Sequence, residues 1–73
     1  MIFKNLRSIR EDNDIRQKEI AAYLNVSQNT YSQYETGVIA LTADILIKLS
    51  EYYDVSVDYL LDLTDTPTRY SKN

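Results

Sequence analysis

From residue 17 to residue 37 the chain reads QKEIAAYLNVSQNTYSQYETG. Apolar side chains recur at the three- or four-residue spacing of a helix on both sides of Asn25, a residue that tolerates the left-handed backbone of a tight turn. Ser27 is a good N-cap for the second of the two helices. Ala21 is small enough to let that helix cross the first one steeply. The run therefore predicts two short helices joined by a tight turn.

The same helical spacing extends outward from this run in both directions. We expect helices over about 17–24 and 28–36, one helix before them, and two after them that each begin at a Thr or Ser cap. Period-two alternation, which is typical of strands, is nowhere sustained. The sequence therefore predicts an all-α domain of five helices over residues 1–63, followed by a flexible polar tail over residues 64–73.

Composition excludes several classes of functional site. The chain has no cysteine, no histidine and a single glycine, so disulfides, thiolate or imidazole metal sites and glycine-rich phosphate cradles cannot be built. Neighbouring carboxylates, such as Asp58 and Asp62, fit solvated charges on a helix better than a metal or catalytic site. We expect no catalytic residue, no metal and no cofactor, and the protein is predicted not to be an enzyme.

No apolar run approaches the roughly 20 residues that a membrane-spanning helix needs. The first seven residues contain no signal-peptide core before their charges begin. We therefore expect a cytoplasmic protein without a membrane partner.

The net charge of −3 argues against a nucleic-acid partner, because such proteins usually carry a basic surface. The charge is distributed unevenly, however. Residues 1–34 carry five basic and four acidic side chains, whereas residues 35–73 carry three basic and seven acidic ones. The acidity therefore belongs mainly to the second half of the chain.

One face of the helix predicted over 28–36 is polar, neutral and short. Tyr31 and Tyr34 would bury the opposite face at a spacing of three residues. Glutamine and asparagine amides carry a donor and an acceptor side by side, which matches the edge of adenine in the major groove of DNA. The side chains expected to contact bases are Gln28, Asn29, Thr30, Ser32 and Gln33. A solvated helix face is the alternative interpretation of the same residues.

Ser27 and Gln17 are expected to lie near DNA phosphates. The Ser27 cap directs the N-terminus of its helix, with free backbone N–H groups, toward an anion. Gln17 opens the preceding helix and is placed to donate to a neighbouring phosphate.

Four segments of the chain, in order and in register, resemble the phage-repressor-like helix-turn-helix family, the Cro/XRE class. The resemblance implies a compact five-helix, lambda-repressor-like DNA-binding domain with the helix-turn-helix at helices 2 and 3. The segments that carry it are 17–21, 25–37, 45–49 and 54–61.

The resemblance also implies roles for individual residues. Gln28, Asn29 and Gln33 fall at base-contact positions, and Gln17 and Thr36 fall at phosphate-contact positions. The same comparison gives Arg10 and Glu35 as a structural ion pair between the first and third helices.

Basic residues near the start of the second helix are less clearly assigned. Arg16 stands where the family usually has a Ser, Thr or Asn cap, and it is a candidate phosphate contact instead. Lys18 is either a phosphate contact or a plain surface charge.

The implied function is a sequence-specific double-stranded DNA-binding transcriptional regulator, a repressor. It would act as a homodimer on a palindromic operator with half-sites roughly 34 Å apart. The alternative is a protein-interaction module, such as the antitoxin of a toxin–antitoxin pair, with a protein partner. The low isoelectric point and the nonbasic connection Val38 to Leu41 favour that alternative.

Overall fold

The structure is a computed structural model that describes residues 3–68. Within that range the chain forms five helices and no strand, which confirms the predicted all-α class. The two helices expected over 17–24 and 28–36 have those bounds. The helices are α1 (Lys4–Asp12), α2 (Gln17–Leu24), α3 (Gln28–Thr36), α4 (Ala43–Tyr53) and α5 (Val57–Leu60).

Left-handed residues close most of the turns between these helices. Asn25 has φ 61° at the end of α2, and Gly37 has φ 76° at the end of α3. Asp14 and Asp54 have φ of 55° and 56° in the connections after α1 and α4. Asparagine and aspartate tolerate this conformation better than other residues with a Cβ atom. The reversals therefore need few residues, and the helices stay close together.

Hydroxyl side chains begin three of the helices, as the sequence predicts. Each oxygen accepts a hydrogen bond from the backbone N–H three residues later, which satisfies one of the free donors of the first turn. The pairs are Ser27 with Thr30 at 3.1 Å, Thr42 with Ile45 at 3.2 Å and Ser56 with Tyr59 at 3.0 Å.

A single apolar core joins all five helices. The fully buried side chains include Ile20 of α2 and Tyr31 of α3, and Ala21 of α2 is 2% exposed. Helices α2 and α3 pack against each other, as expected for two helices joined by a tight turn. The core residues are Leu6, Ile20, Ala21, Leu24, Tyr31, Tyr34, Ile45, Leu49, Val55 and Leu60.

The start of α1 is capped from the far end of the domain. Phe3 at its N-cap offers no side-chain hydrogen bond. Instead, the Asp62 carboxylate accepts from the backbone N–H groups of Lys4 at 2.8 Å and Asn5 at 2.9 Å. A negative charge at a helix N-terminus is also favourable to the helix dipole. The segment that follows α5 thus holds the start of α1 in place.

Part of the predicted tail is hydrogen-bonded to the helices. The Pro67 carbonyl accepts from the Ser56 N–H at 2.9 Å, and the Thr64 carbonyl accepts from the Asn5 side-chain amide at 3.4 Å. Residues 69–73, the rest of that tail, lie outside the described residues.

Candidate nucleic-acid interface

The two faces of α3 differ as the sequence predicts. Tyr31 is fully buried and Tyr34 is 8% exposed, so they anchor one side of the helix in the core. Gln28 and Asn29 are exposed at its N-terminus. Of the other expected base contacts, Thr30, Ser32 and Gln33 are half-buried. The polar face of α3 is therefore most accessible over its first turn.

A shallow polar notch lies between the starts of α2 and α3. Its volume is about 420 Å³, and it is lined by Gln17, Gln28, Asn29 and Ser32. The structure thus brings one expected phosphate contact next to three expected base contacts. The remaining expected base contacts, Thr30 and Gln33, do not line the notch.

Two hydroxyl groups among the expected DNA contacts already have partners within α3. Ser27 Oγ donates to Thr30 Oγ1 at 2.9 Å while it caps the helix. The Thr36 hydroxyl donates to the Ser32 carbonyl at 3.1 Å. Each hydroxyl must exchange its present bond in order to donate to a phosphate, whereas backbone N–H groups of the first turn can donate to one directly.

The basic candidates stand at the start of α2. Arg16 and Lys18 are both exposed. The Arg16 N–H donates to Glu19 Oε1 at 3.2 Å. This is half of a capping box, because an arginine side chain has no acceptor with which to return the bond. The Arg16 guanidinium is therefore not needed as the cap of α2.

Arg10 and Glu35 form an ion pair between α1 and the end of α3. Arg10 Nε lies 2.6 Å from Glu35 Oε2, and Nη2 lies 3.3 Å from Oε1. The Arg10 and Glu35 side chains are only 11% and 4% exposed. A third donor, Arg10 Nη1, reaches the Ile15 carbonyl at 2.9 Å. The guanidinium therefore links α1, the α1–α2 connection and α3.

The same carboxylate also binds the first residue of α2. Gln17 Nε2 donates to Glu35 Oε1 at 3.2 Å. From the sequence, Gln17 is expected at a phosphate and Glu35 in an ion pair, with no link between the two residues. No local pattern points to this bond, because the two residues are 18 positions apart.

Charge and burial shift the acid–base properties of this cluster. Burial alone would raise the pKa of the Glu35 carboxyl, but the hydrogen bond and charge of Arg10, with smaller contributions from Tyr31 and Gln17, hold it below its ordinary value. The hydrogen bond to Glu35 raises the pKa of Arg10 against the opposing effect of burial. Burial, and then the nearby Glu35 carboxylate, raise the pKa of Tyr31. The pair is therefore fully charged at neutral pH beside an un-ionised tyrosine.

Several large apolar side chains remain exposed away from the notch. Tyr23 of α2 and Tyr52 of α4 are 46% and 39% exposed, and their ring centroids lie 4.6 Å apart. In the connection from α3 to α4, Ile39 and Leu41 pack against the core, whereas Val38 is exposed. That connection is thus partly a packed segment and partly a surface available to a partner.

Within residues 3–68, no group of three or more acidic, histidine or cysteine side chains is arranged to hold a metal ion. None of the helices in that range has the length and apolar character to cross a membrane.

Comparison with known proteins places the chain in a family. A sequence profile described as helix-turn-helix matches residues 6–60. Over 58 residues the chain is 43% identical to the HTH-type transcriptional regulator ImmR of Bacillus subtilis, covering 80% of this chain and 46% of that protein. It is 30% identical over 66 residues to the cryptic phage CTXphi transcriptional repressor RstR of Vibrio cholerae, covering 90% and 60%.

A third relative is named as an antitoxin. The chain is 32% identical over 56 residues to the antitoxin PezA of Streptococcus pneumoniae, covering 77% of this chain and 35% of that protein. The chain thus spans between about a third and three fifths of the length of these relatives. No solved structure matches it with comparable significance. The profile covers most of the residues that form the five helices, and the chain belongs to the phage-repressor-like helix-turn-helix family.

Proposed function

We propose that this protein is a sequence-specific double-stranded DNA-binding transcriptional regulator, a repressor that places α3 in the major groove. The observation that carries the proposal is the polar notch: Gln17, Gln28 and Asn29 face one open concavity at the starts of α2 and α3. The buried Tyr31 and Tyr34 fix the orientation of that surface. ImmR and RstR, which are named as a transcriptional regulator and a repressor, support the same function.

The proposed contacts divide into two classes. Amide side chains read base edges, because their paired donor and acceptor match adenine. Polar and basic side chains around them bind phosphate and set the register on the duplex. The base contacts are Gln28, Asn29 and Gln33, with Thr30 and Ser32 beside them, and the phosphate contacts are Gln17, Arg16, Lys18, Ser27 and Thr36.

The proposal includes a homodimer on a palindromic operator, in the cytoplasm. One small domain offers few contacts with DNA, so a second copy is needed for useful affinity. The exposed rings of Tyr23 and Tyr52 and the exposed Val38 are candidate parts of the dimer surface.

Selection from a random duplex pool, followed by titrations of the recovered site, tests the proposal. We expect Gln28→Ala or Gln33→Ala to cost about 1–3 kcal/mol at the selected site and to relax one base position. Gln17→Ala should weaken selected and scrambled duplexes about equally. Ser8→Ala, an exposed change on α1, is the control and should leave binding unchanged. If Gln28→Ala and Gln33→Ala, like Gln17→Ala, weaken selected and scrambled duplexes equally, the assigned roles are wrong.

The second candidate function is a protein-interaction module such as an antitoxin. The similarity to PezA and the net charge of −3 favour it. Salt titration separates the two functions, because each neutralised phosphate makes log K fall by about 0.9 per unit of log salt. A duplex affinity that barely changes with salt would favour the protein partner.

A further inference from the structure

A buried carboxylate lies directly behind the amide that faces the notch. Glu35 is 3% exposed, and both of its oxygens accept hydrogen bonds. Oε2 accepts from Arg10 Nε at 2.6 Å, whereas Oε1 accepts from Arg10 Nη2 at 3.3 Å and from Gln17 Nε2 at 3.2 Å. Glu35 therefore binds the α1 cation and the first residue of α2 through one group.

The position of this carboxylate is fixed from three sides. Two Arg10 nitrogens donate to the two Glu35 oxygens, an arrangement that restricts rotation of the carboxylate. Its third donor reaches the Ile15 carbonyl, two residues before Gln17. The acceptor that meets the Gln17 amide is therefore held by α1, by the α1–α2 connection and by α3 together.

The carboxylate selects one orientation of the Gln17 amide. An ionised carboxylate only accepts hydrogen bonds, so the NH2 end of the amide turns inward and the opposite orientation is repelled. One Nε2 hydrogen is used by Glu35. The second Nε2 hydrogen and Oε1 remain for a ligand at the notch, beside Gln28 and Asn29.

We propose that Glu35 is a positioning residue for DNA binding, which orients the Gln17 amide so that its free N–H donates to a phosphate. This inference rests on the proposed function, which assigns Gln17 to phosphate. A held amide does not have to be immobilised when DNA binds, so the expected gain in affinity is about three- to tenfold.

A thermodynamic cycle tests the coupling between Glu35 and Gln17 without leaving an unpaired charge in the core. The apolar-pair variant, Arg10→Met with Glu35→Leu, replaces both partners by side chains of similar size, a change that buried ion pairs often tolerate. We expect it to weaken binding to the selected duplex about three- to tenfold when Gln17 is present. The same change should have no effect in the Gln17→Ala background. An equal loss in both backgrounds would show a structural role only and would overturn the proposal.

A second readout needs no DNA. In the wild-type protein, one proton of the Gln17 side-chain NH2 should be displaced in the NMR spectrum from the shift of a solvated amide and should exchange slowly with water, unlike the exposed amide of Gln28 in the same spectrum. In the apolar-pair variant its shifts and exchange should match those of Gln28. A wild-type Gln17 amide that already behaves like Gln28 overturns the proposal.

Controls separate this inference from the proposed function. Ile45→Val, a small core change in α4, should leave affinity unchanged and so show that a modest loss of stability does not weaken binding. If pool selection returns an operator but the cycle is additive, the positioning role alone fails. If no duplex is enriched at low ionic strength, the proposed function fails and takes the positioning role with it.

Discussion

At the scale of single residues, the buried Arg10–Glu35 pair matters more for the cost of breaking it than for the net stability that it adds. Both charges are removed from water, and their desolvation is offset by good geometry and by the extra bonds to Ile15 and Gln17. Such pairs add little net stability compared with apolar side chains, but removing one partner leaves an uncompensated buried charge. The surface pair Arg7–Glu11 has a similar chemistry in an exposed position.

The first prediction compares these two ion pairs. Arg10→Met should lower the free energy of unfolding by about 3–5 kcal/mol, because Glu35 is left charged and buried. Arg7→Met, the matched control, should cost about 0.5 kcal/mol or less, because its partner Glu11 is already solvated. Urea unfolding followed by circular dichroism measures both. Similar losses of unfolding free energy for the two variants would show that burial does not make the Arg10–Glu35 pair more costly to break.

The second prediction concerns pH and the Glu35 carboxyl. Its pKa is lower in the folded state than the ordinary value of 4.5, so the unfolded chain binds the proton more readily. The stability from this shift is present above the unfolded pKa and is lost as pH falls through the folded pKa. Unfolding free energies measured from pH 7 downward should therefore decline below about pH 5. The apolar-pair variant should decline less over the same window, and an identical decline would contradict the assignment to Glu35.

At the scale of elements, the N-terminus of α3 has two requirements. Ser27 caps the helix through Thr30, and the same helix end is proposed to meet a phosphate. A cap needs only an acceptor, so an aspartate serves as well as a serine. A phosphate, in contrast, is repelled by a second negative charge.

The third prediction uses that difference. Ser27→Ala should cost about 1 kcal/mol of stability, because one N–H of the first turn loses its partner. Ser27→Asp should keep the stability but weaken binding to every duplex, selected or scrambled. Thermal unfolding and binding titrations on both variants give the comparison. If Ser27→Asp binds DNA as tightly as the wild type, the end of α3 does not approach a phosphate.

At the scale of the whole molecule, charge is divided along the sequence, and the proposed orientation on DNA requires the acidic part to face away from the duplex. Residues 1–34, which include α2 and most of α3, have more basic than acidic side chains, and the acidic excess lies in residues 35–73. A protein with a net negative charge is compatible with DNA when its acidic part faces away from the duplex.

The fourth prediction concerns two copies on one operator. A palindromic site with half-sites about one helical turn apart should bind two copies cooperatively. Inserting about 5 base pairs between the half-sites turns one to the opposite face of the duplex and should abolish cooperativity, whereas about 10 should restore the phase. Gel-shift titrations and sedimentation give affinity and stoichiometry. An isolated half-site that binds as tightly as the palindrome would contradict the dimer.

The local sequence determined the bounds of α2 and α3 and the turn between them. Asn25, Ser27 and Gly37 each act on the backbone within a few residues, so their effects can be predicted from spacing alone. The apolar spacing likewise predicted Tyr31 and Tyr34 as buried anchors. The exposed polar face of α3 follows from the same periodicity, because burying one side of a helix leaves the other side to solvent.

Only the tertiary structure decided which distant groups meet. Asp62 caps α1 across a separation of 57 and 58 residues, and Glu35 holds Gln17 across 18. Neither contact has a local signature, because each arises when the core brings separate helices together. Hydrogen bonds of this kind depend on exact side-chain placement, which sequence spacing does not contain.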